Sequence, residues 1–145
     1  MKKNTILLVE DDELDVISVR RALKKIELDH ELITAYNGIE ALDKLRGNKG
    51  RPPITLPDVV LLDMNMPKMN GLEFLSALRA DTSLKNLKVI VMTTSSERHE
   101  RTATEKLGVS AYLIKPLNFT NNDKRRDSMD SFFQFQLRTI LLSTP

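Results

Sequence analysis

Residues 57–71 have the sequence Pro57-Asp58-Val59-Val60-Leu61-Leu62-Asp63-Met64-Asn65-Met66-Pro67-Lys68-Met69-Asn70-Gly71. Residues 59–62 are all aliphatic, which is the pattern of a central parallel strand that is buried on both faces. Asp63 ends this run, and turn-forming residues follow it. Because open α/β sheets bind ligands at the carboxyl ends of their strands, Asp63 is a candidate functional residue. Ending the strand or capping a helix would also explain a single carboxylate there.

Length and composition predict a single domain. The chain has 145 residues, of which 41% are hydrophobic and 29% are charged, which is ordinary for a soluble globular protein with one core. We therefore expect one domain over residues 1–145. Its core strands and helices would lie in residues 1–117, and the final helix and C-terminal tail in residues 118–145.

The charge, the cysteine count and the N-terminal segment exclude several functions. A net charge of +2 is too small to indicate a nucleic-acid partner, and the absence of cysteine excludes disulfides and thiolate chemistry. The apolar run at residues 6–9 is too short for a signal peptide or a membrane span. We therefore expect a cytoplasmic protein that binds neither nucleic acid nor membranes.

Strands and helices are predicted to alternate along the chain. The remaining predicted strands span residues 6–9, 30–35, 87–92 and 111–114. Apolar residues at helical spacing predict helices between them, so we expect an α/β fold with a doubly wound parallel sheet of about five strands. The half-polar strand at residues 30–35 is expected near an edge. Residues 47–57, rich in glycine and proline, are expected to form a long surface loop.

Two segments in the second half of the chain have an unusual composition. The helix that ends at Leu107 is mostly polar, with only Ala103 and Leu107 as clear apolar anchors, so we expect it to dock shallowly. The C-terminal segment carries the large apolar residues Phe132, Phe133, Phe135, Leu137, Ile140, Leu141 and Leu142. Since one face of one helix cannot bury them all, we expect a homodimer through this segment. A tail that folds back onto its own core is the alternative.

The carboxyl ends of the strands are predicted to gather polar side chains. Right-handed crossovers place these ends at one edge of the sheet. The residues brought together there are Glu10, Asp11, Asp63, Thr93 and Lys115. Helix capping and the helix dipole would account for only one or two of the consecutive acids at residues 10–12.

The chemistry of this edge favours phosphoryl transfer. Clustered carboxylates repel one another unless a cation lies between them, and oxygen ligands select a hard cation such as Mg²⁺ or Mn²⁺. A carboxylate can also attack phosphorus, while a lysine and a threonine hydroxyl stabilise the charge of the transferred group. The sequence therefore predicts phosphoryl transfer onto an aspartate.

The chain resembles a response regulator receiver domain from its first strand through Pro116. The matching motifs are Val9-Glu10-Asp11-Asp12, Leu62-Asp63-Met64-Asn65-Met66-Pro67 with Asn70-Gly71, Met92-Thr93, and Tyr112 through Lys115-Pro116. The resemblance implies a flavodoxin-like fold with strand order 2-1-3-4-5 and a function in two-component signal transduction. A sensor histidine kinase would be the phosphoryl donor. Output would go through protein contacts, because no DNA-binding domain follows the receiver.

The resemblance also implies a metal site. Asp63 would be the phosphoacceptor that becomes an aspartyl phosphate. Asp11 and Asp63 would ligate Mg²⁺ or Mn²⁺ together with the backbone carbonyl of Asn65, and Glu10 would act through a water molecule.

The other residues of the motifs would act on the phosphoryl group. Lys115 would contact it, and Thr93 with Tyr112 would form the switch. The peptide bond between Lys115 and Pro116 would be cis. Thr94 departs from the smaller residue that receivers often have there, which would narrow access to the acceptor.

Three features resemble the single-domain regulators that partner bacterial phytochrome histidine kinases. They are the loop at residues 47–57, the sequence Leu117-Asn118-Phe119, and the aromatic tail. The partner kinase would then be a bacteriophytochrome. Residues 120–127 are more polar than a usual final receiver helix.

Two other functions share part of the pattern. An Mg²⁺-dependent phosphatase with an aspartate nucleophile needs a second Asp as general acid, at the position where this chain has Asn65. A receiver-like interaction scaffold would need no reactive site, whereas every predicted site position here has a competent residue. We therefore expect a phosphoacceptor, with at most slow autodephosphorylation, rather than an enzyme.

Overall fold

The computed structural model of the chain describes residues 3–26, 28–48, 50–66, 68–93, 98–114 and 133–142, with backbone alone at residues 98–101. The elements in chain order are β1 (Asn4–Val9), α1 (Glu13–Lys24), β2 (His30–Ala35), α2 (Gly38–Arg46), β3 (Val59–Asp63), α3 (Gly71–Ala80), β4 (Val89–Thr93), α4 (Arg98–Lys106), β5 (Ala111–Ile114), a π-helical turn (Phe133–Leu137) and α5 (Arg138–Leu142). We call residues 133–142 the tail helix.

The five strands form one parallel sheet in the order β2-β1-β3-β4-β5. This confirms the predicted doubly wound α/β fold, and it places the half-polar strand β2 at an edge. The aliphatic runs in β1 and β3 are fully buried, as their lack of polar alternation predicts.

Side chains that alternate along the strands divide the core into two halves. Ile6, Leu8 and Leu61 face the half that contains α1 and the tail helix. Leu7 and Leu62 face the half that contains α2 and α3. The sheet is therefore covered on both faces, which is the arrangement that a parallel sheet requires.

The fourth strand begins later than predicted. It starts at Val89 rather than at residue 87, and it includes Thr93. The reason is that Leu87 lies in a turn. Its backbone N–H donates to the Leu84 carbonyl at 3.1 Å, and its own carbonyl accepts a hydrogen bond from Arg79 at 2.9 Å.

Helix α4 is anchored differently from the prediction. Thr104 is completely buried, whereas the predicted anchors Ala103 and Leu107 are only half-buried. A threonine can occupy such a position because its burial costs little once the hydroxyl is hydrogen-bonded.

The predicted loop between α2 and β3 is irregular but is attached to the core. It contains one antiparallel bridge, between Asn48 and Arg51. The Ile54 N–H donates to the Lys44 carbonyl at 2.9 Å, and the Ile54 side chain packs against the core half that contains α2 and α3. The loop is therefore held in place at its middle.

The tail helix buries more of its apolar residues than predicted. Phe133, Leu137 and Leu141 are buried in the core half that contains α1. Phe135 and Leu142 are 73% and 63% exposed. In this segment the fold-back alternative is thus correct for one face of the helix, and an apolar outer face remains. Phe132 lies outside the described residues.

A side-chain hydrogen bond also attaches the tail helix to α1. Gln134 Nε2 donates to the Lys25 carbonyl at 2.6 Å, which satisfies a carbonyl at the C-terminal end of α1. Within the described ranges, no helix has the length and apolar character needed to cross a bilayer.

Phe133 is buried and Phe135 is exposed, and this difference leads to a stability prediction. Phe133→Ala should lower the free energy of unfolding by about 3–5 kcal/mol, because it opens a cavity in the core. Phe135→Ala, in dilute protein, should change it by less than about 0.5 kcal/mol. Urea denaturation of both variants measures the difference. Equal effects of the two substitutions would contradict the packing of the tail helix described above.

Candidate acidic site at the carboxyl edge of the sheet

Three carboxylates meet where β1 and β3 end. Glu10 follows β1 directly, Asp11 is the next residue, and Asp63 is the last residue of β3. One carboxylate oxygen from each lies within 4.8 Å of the others. Glu10 and Asp63 are 1% and 2% exposed, whereas Asp11 is exposed to solvent. The structure thus brings together the three acids that the sequence predicts.

The third acid after β1 has a different role. Asp12 is the N-cap of α1, since its Oδ1 accepts hydrogen bonds from the backbone N–H groups of Leu14 at 2.9 Å and Asp15 at 3.4 Å. The Asp12 N–H donates to Glu10 Oε1 at 3.2 Å, which fixes one oxygen of that side chain. Capping therefore explains Asp12 and leaves Glu10 and Asp11 to the acidic cluster.

The loop after β3 holds the Asp63 side chain and returns the chain to α3. The Asn65 N–H donates to Asp63 Oδ1 at 3.2 Å, and the Gly71 N–H donates to the Met64 carbonyl at 3.1 Å. A Cβ at Gly71 would lie 2.6 Å from the Asp63 carbonyl oxygen. Only glycine allows α3 to start this close to the acceptor strand. The sequence marked Gly71 as a turn residue, but not as a packing constraint.

The same loop contains a residue in the left-handed backbone region. Lys68 has a φ of 66°. A non-glycine residue rarely adopts this conformation, and such outliers cluster at functional sites. Asn70, two residues later, is the N-cap of α3 and forms a reciprocal capping box with Glu73.

Two further predicted residues lie on the neighbouring strands. Asp63 pairs with Met92, so Thr93 at the end of β4 is one residue further along the same edge, and it is completely buried. Tyr112 lies on β5 in register with Val91 and is half-buried against the α2 and α3 half of the core. Lys115, Pro116 and Thr94 lie outside the described residues, and so does the predicted cis bond.

The donor atoms of the cluster suit a divalent cation. All three groups are carboxylates, two of them are buried, and their mutual repulsion would be relieved by a positive charge between them. Hard cations such as Mg²⁺ and Mn²⁺ prefer oxygen ligands of this kind. The cluster is therefore a candidate divalent-metal site.

Comparison with known proteins identifies similar sequences and folds. Residues 6–125 match the response regulator receiver domain family. Response regulator Rcp1 of Synechocystis sp. is 35% identical over 137 residues, which cover 94% of this chain and 91% of Rcp1.

Solved structures are similar over nearly the whole chain. The Mn²⁺-bound form of Rcp1 has a TM-score of 0.81 at 31% identity, covering 98% of this chain and 97% of that one. The phosphorylated cyanobacterial phytochrome response regulator RcpA has a TM-score of 0.83 at 30% identity, covering 95% and 96%. The bacteriophytochrome response regulator AtBRR has a TM-score of 0.73 at 31% identity, covering 100% and 96%.

Proposed function

Since the chain belongs to the response regulator receiver domain family, and is thus a response regulator of two-component systems, we propose that Asp63 is the residue that accepts the phosphoryl group. The observation that carries this proposal is the cluster of Glu10, Asp11 and Asp63, whose oxygens lie within 4.8 Å of one another at the carboxyl edge of the sheet. Asp63 is the member that extends directly from the central strand β3. Receiver domains pair with histidine kinases, so the donor would be a phosphohistidine.

The transfer makes one bond and breaks one. A carboxylate oxygen of Asp63 attacks phosphorus and forms a P–O bond, while the P–N bond to the histidine of the donor breaks. The electron pair of that bond stays on the imidazole nitrogen, which takes up a proton from solvent. The hydrogen bond from the Asn65 N–H to Oδ1 fixes the orientation of the attacking carboxylate before the donor arrives.

We assign the metal of this site as Mg²⁺, with Mn²⁺ as a substitute. Asp11 and Asp63 would be its direct ligands together with the backbone carbonyl of Asn65, and Glu10 would act through water. When bound, the cation supplies positive charge that offsets the charge of the transferring phosphoryl oxygens. The existence of a Mn²⁺-bound form of the relative Rcp1 supports the binding of a divalent ion by this protein.

The remaining site residues are proposed to respond to the phosphoryl group. Thr93 would donate its hydroxyl hydrogen to a phosphoryl oxygen, and Lys115 would contact the group with its ammonium. Tyr112 would turn into the space that Thr93 vacates. The burial of Thr93 at the end of β4 supports a role in which a small displacement is transmitted to its neighbours.

A phosphatase mechanism is less well supported. Such an enzyme needs a general acid two residues after the nucleophile, and the residue there is Asn65. An amide cannot donate a proton to a leaving group as a carboxylic acid does. We therefore propose that Asp63 is the single acceptor and stores the phosphoryl group with at most slow hydrolysis, and that residues 1–145 form one receiver domain.

The partner kinase is proposed to be a bacteriophytochrome. RcpA is described as a phytochrome response regulator and AtBRR as a bacteriophytochrome response regulator, and both are similar to this chain over at least 95% of its length. Matches of that length extend beyond β5, which ends at Ile114.

The acceptor role predicts a covalent mass change. Incubation with acetyl phosphate and Mg²⁺ should add one phosphoryl group to the wild-type protein and none to Asp63→Asn, as measured by intact mass. Asp12→Asn is the matched control, because it removes a neighbouring carboxylate yet keeps a good N-cap. Phosphorylation of Asp63→Asn under the same conditions would show that the acceptor is another residue.

The metal site predicts a cation-dependent stability. Mg²⁺ at about 100 times its Kd should stabilise the wild-type protein by about 2.7 kcal/mol, because it binds the folded state. Asp11→Asn should raise the Tm of the metal-free protein, since it relieves repulsion, and should remove much of the Mg²⁺ response. Asp12→Asn should keep that response. A wild-type melting curve unaffected by Mg²⁺ or Mn²⁺ would exclude the site.

We also propose that the protein forms a homodimer through the tail helix. Phe135 and Leu142 are exposed one heptad apart, on an outer face shared with Gln136 and Thr139. All four residues are uncharged, and the one charged neighbour at helical spacing between Phe135 and Leu142, Arg138, is partly buried, so most of this face can meet its copy without repulsion between like charges. Each large apolar side chain gains about 1.5–3 kcal/mol from full burial.

The dimer predicts a specific effect of a charge on this face. Phe135→Glu should raise the dimer dissociation constant at least about tenfold, because it places a charge in an apolar interface. Leu56→Glu is the control, since Leu56 is also exposed but lies in the loop between α2 and β3. Light scattering over a concentration series measures the dimer dissociation constant of the wild type and of each variant, with and without a phosphoryl analogue. A wild-type protein that stays monomeric throughout would refute the dimer.

A further inference from the structure

The guanidinium of Arg79, in the last turn of α3, binds four backbone carbonyls. Nε donates to the Leu107 carbonyl at 2.6 Å, and Nη2 donates to the Gly108 carbonyl at 2.9 Å. Nη1 donates to the carbonyls of Lys85 and Leu87, both at 2.9 Å. Burial of the side chain lowers the pKa of Arg79 from its usual value. Only arginine has enough fixed donors for this arrangement.

The four carbonyls belong to segments that lead to the site. Lys85 and Leu87 precede β4, which ends in Thr93. Leu107 and Gly108 follow α4 and precede β5, which carries Tyr112. A cation also suits the C-terminal end of a helix, because the helix dipole is negative there.

A further hydrogen bond joins the same two strand entrances. The Ser110 N–H donates to the Val89 carbonyl at 2.8 Å. Arg79 therefore fixes the starts of β4 and β5 and the end of α4 to one another and to α3. These starts lie at the edge of the sheet opposite to Asp63.

Helix α4 has little apolar packing of its own along its described side chains. Among residues 102–106, Thr104 is the buried one, and Ala103 is half-buried. Its N-terminal end, Arg98, is five residues after Thr93 in the chain. One end of α4 is thus connected to the acceptor edge, while Arg79 holds the opposite end.

We propose that Arg79 is a positioning residue that couples the acceptor site to α4. The proposal rests on the proposed role of Asp63 and Thr93. With the C-terminal end of α4 and both strand entrances held as one unit, a displacement at Thr93 tilts α4 about the end bound by Arg79. Without the guanidinium, the end of α4 is no longer held to α3 and to the paired strand entrances, and α4 no longer reports the state of Asp63.

Hydrogen exchange of the full-length protein tests this coupling. The amides of α4 are followed with Mg²⁺, before and after addition of beryllofluoride as a phosphoryl analogue. Arg46→Ala is the matched control. Arg46 also lies in the last turn of a helix and binds Asp81 in the loop after α3 at 3.0 Å, but it does not contact the carbonyls that Arg79 binds.

We expect the analogue to change exchange in α4 of the wild-type protein and of Arg46→Ala. In Arg79→Ala, α4 should exchange at least about tenfold faster without the analogue and lose most of the analogue-dependent change. Asp63 should still be phosphorylated in that variant. A merely structural role would speed exchange in both states equally and would leave the analogue-dependent change intact.

Several results would overturn the proposal. They are an unchanged analogue-dependent response of α4 in Arg79→Ala, or an equal loss of that response in Arg46→Ala. If Arg79→Ala does not fold, Arg79→Lys decides, because an ammonium keeps the charge but cannot span four carbonyls. If α4 of Arg79→Lys responds to the analogue as in the wild type, the proposed role of the guanidinium is refuted. If that response is lost, the role is supported.

The failure of the acceptor proposal would be recognisable separately. If wild-type Asp63 accepts no phosphoryl group, the proposed function fails. If wild type and Arg79→Ala are both phosphorylated and α4 responds equally in the two, only the role of Arg79 fails.

Discussion

The parallel pairing of β1 with β3 is the constraint on which the rest of the structure depends. Val9 is in register with Leu62, so the residues that follow them, Glu10 and Asp63, emerge side by side from two buried strands. The sheet is held by apolar contacts on both faces, which cannot rearrange to separate two carboxylates. The fold therefore holds Glu10 and Asp63 where their carboxylates repel each other. A divalent ion or a covalent change at Asp63 alters that repulsion.

The surrounding loops keep these carboxylates in place by local hydrogen bonds. Asp12 ends its loop as a helix cap, and the close contact of Gly71 with the Asp63 carbonyl sets the position of α3. Neither residue needs to touch a phosphoryl group to matter for the site. Both determine where the reactive oxygen lies, and errors of an ångström in that position are costly in transfer reactions.

Much of this arrangement follows from the sequence, because buried parallel strands have continuous aliphatic runs. The meeting of Glu10, Asp11 and Asp63 was predicted correctly from the strand ends, and the strand order was predicted correctly from the resemblance to receiver domains. The start of β4 was predicted wrongly, because Leu87 has the apolar side chain of a strand residue but is held in a turn by Arg79, eight positions earlier. The division of the tail into Phe133 inside and Phe135 outside depends on packing against α1, which periodicity alone does not reveal.

The loop between α2 and β3 has a consequence for protein engineering. It enters β3 at Val59, the end of the strand farthest from Asp63, and the Ile54 N–H ties its middle to α2. The turn closed by Asn48 and Arg51 carries the exposed Gly50, where a side chain would meet no neighbouring atom. A reporter domain inserted at this turn would extend into solvent, so the protein could be labelled without disturbing its acidic edge.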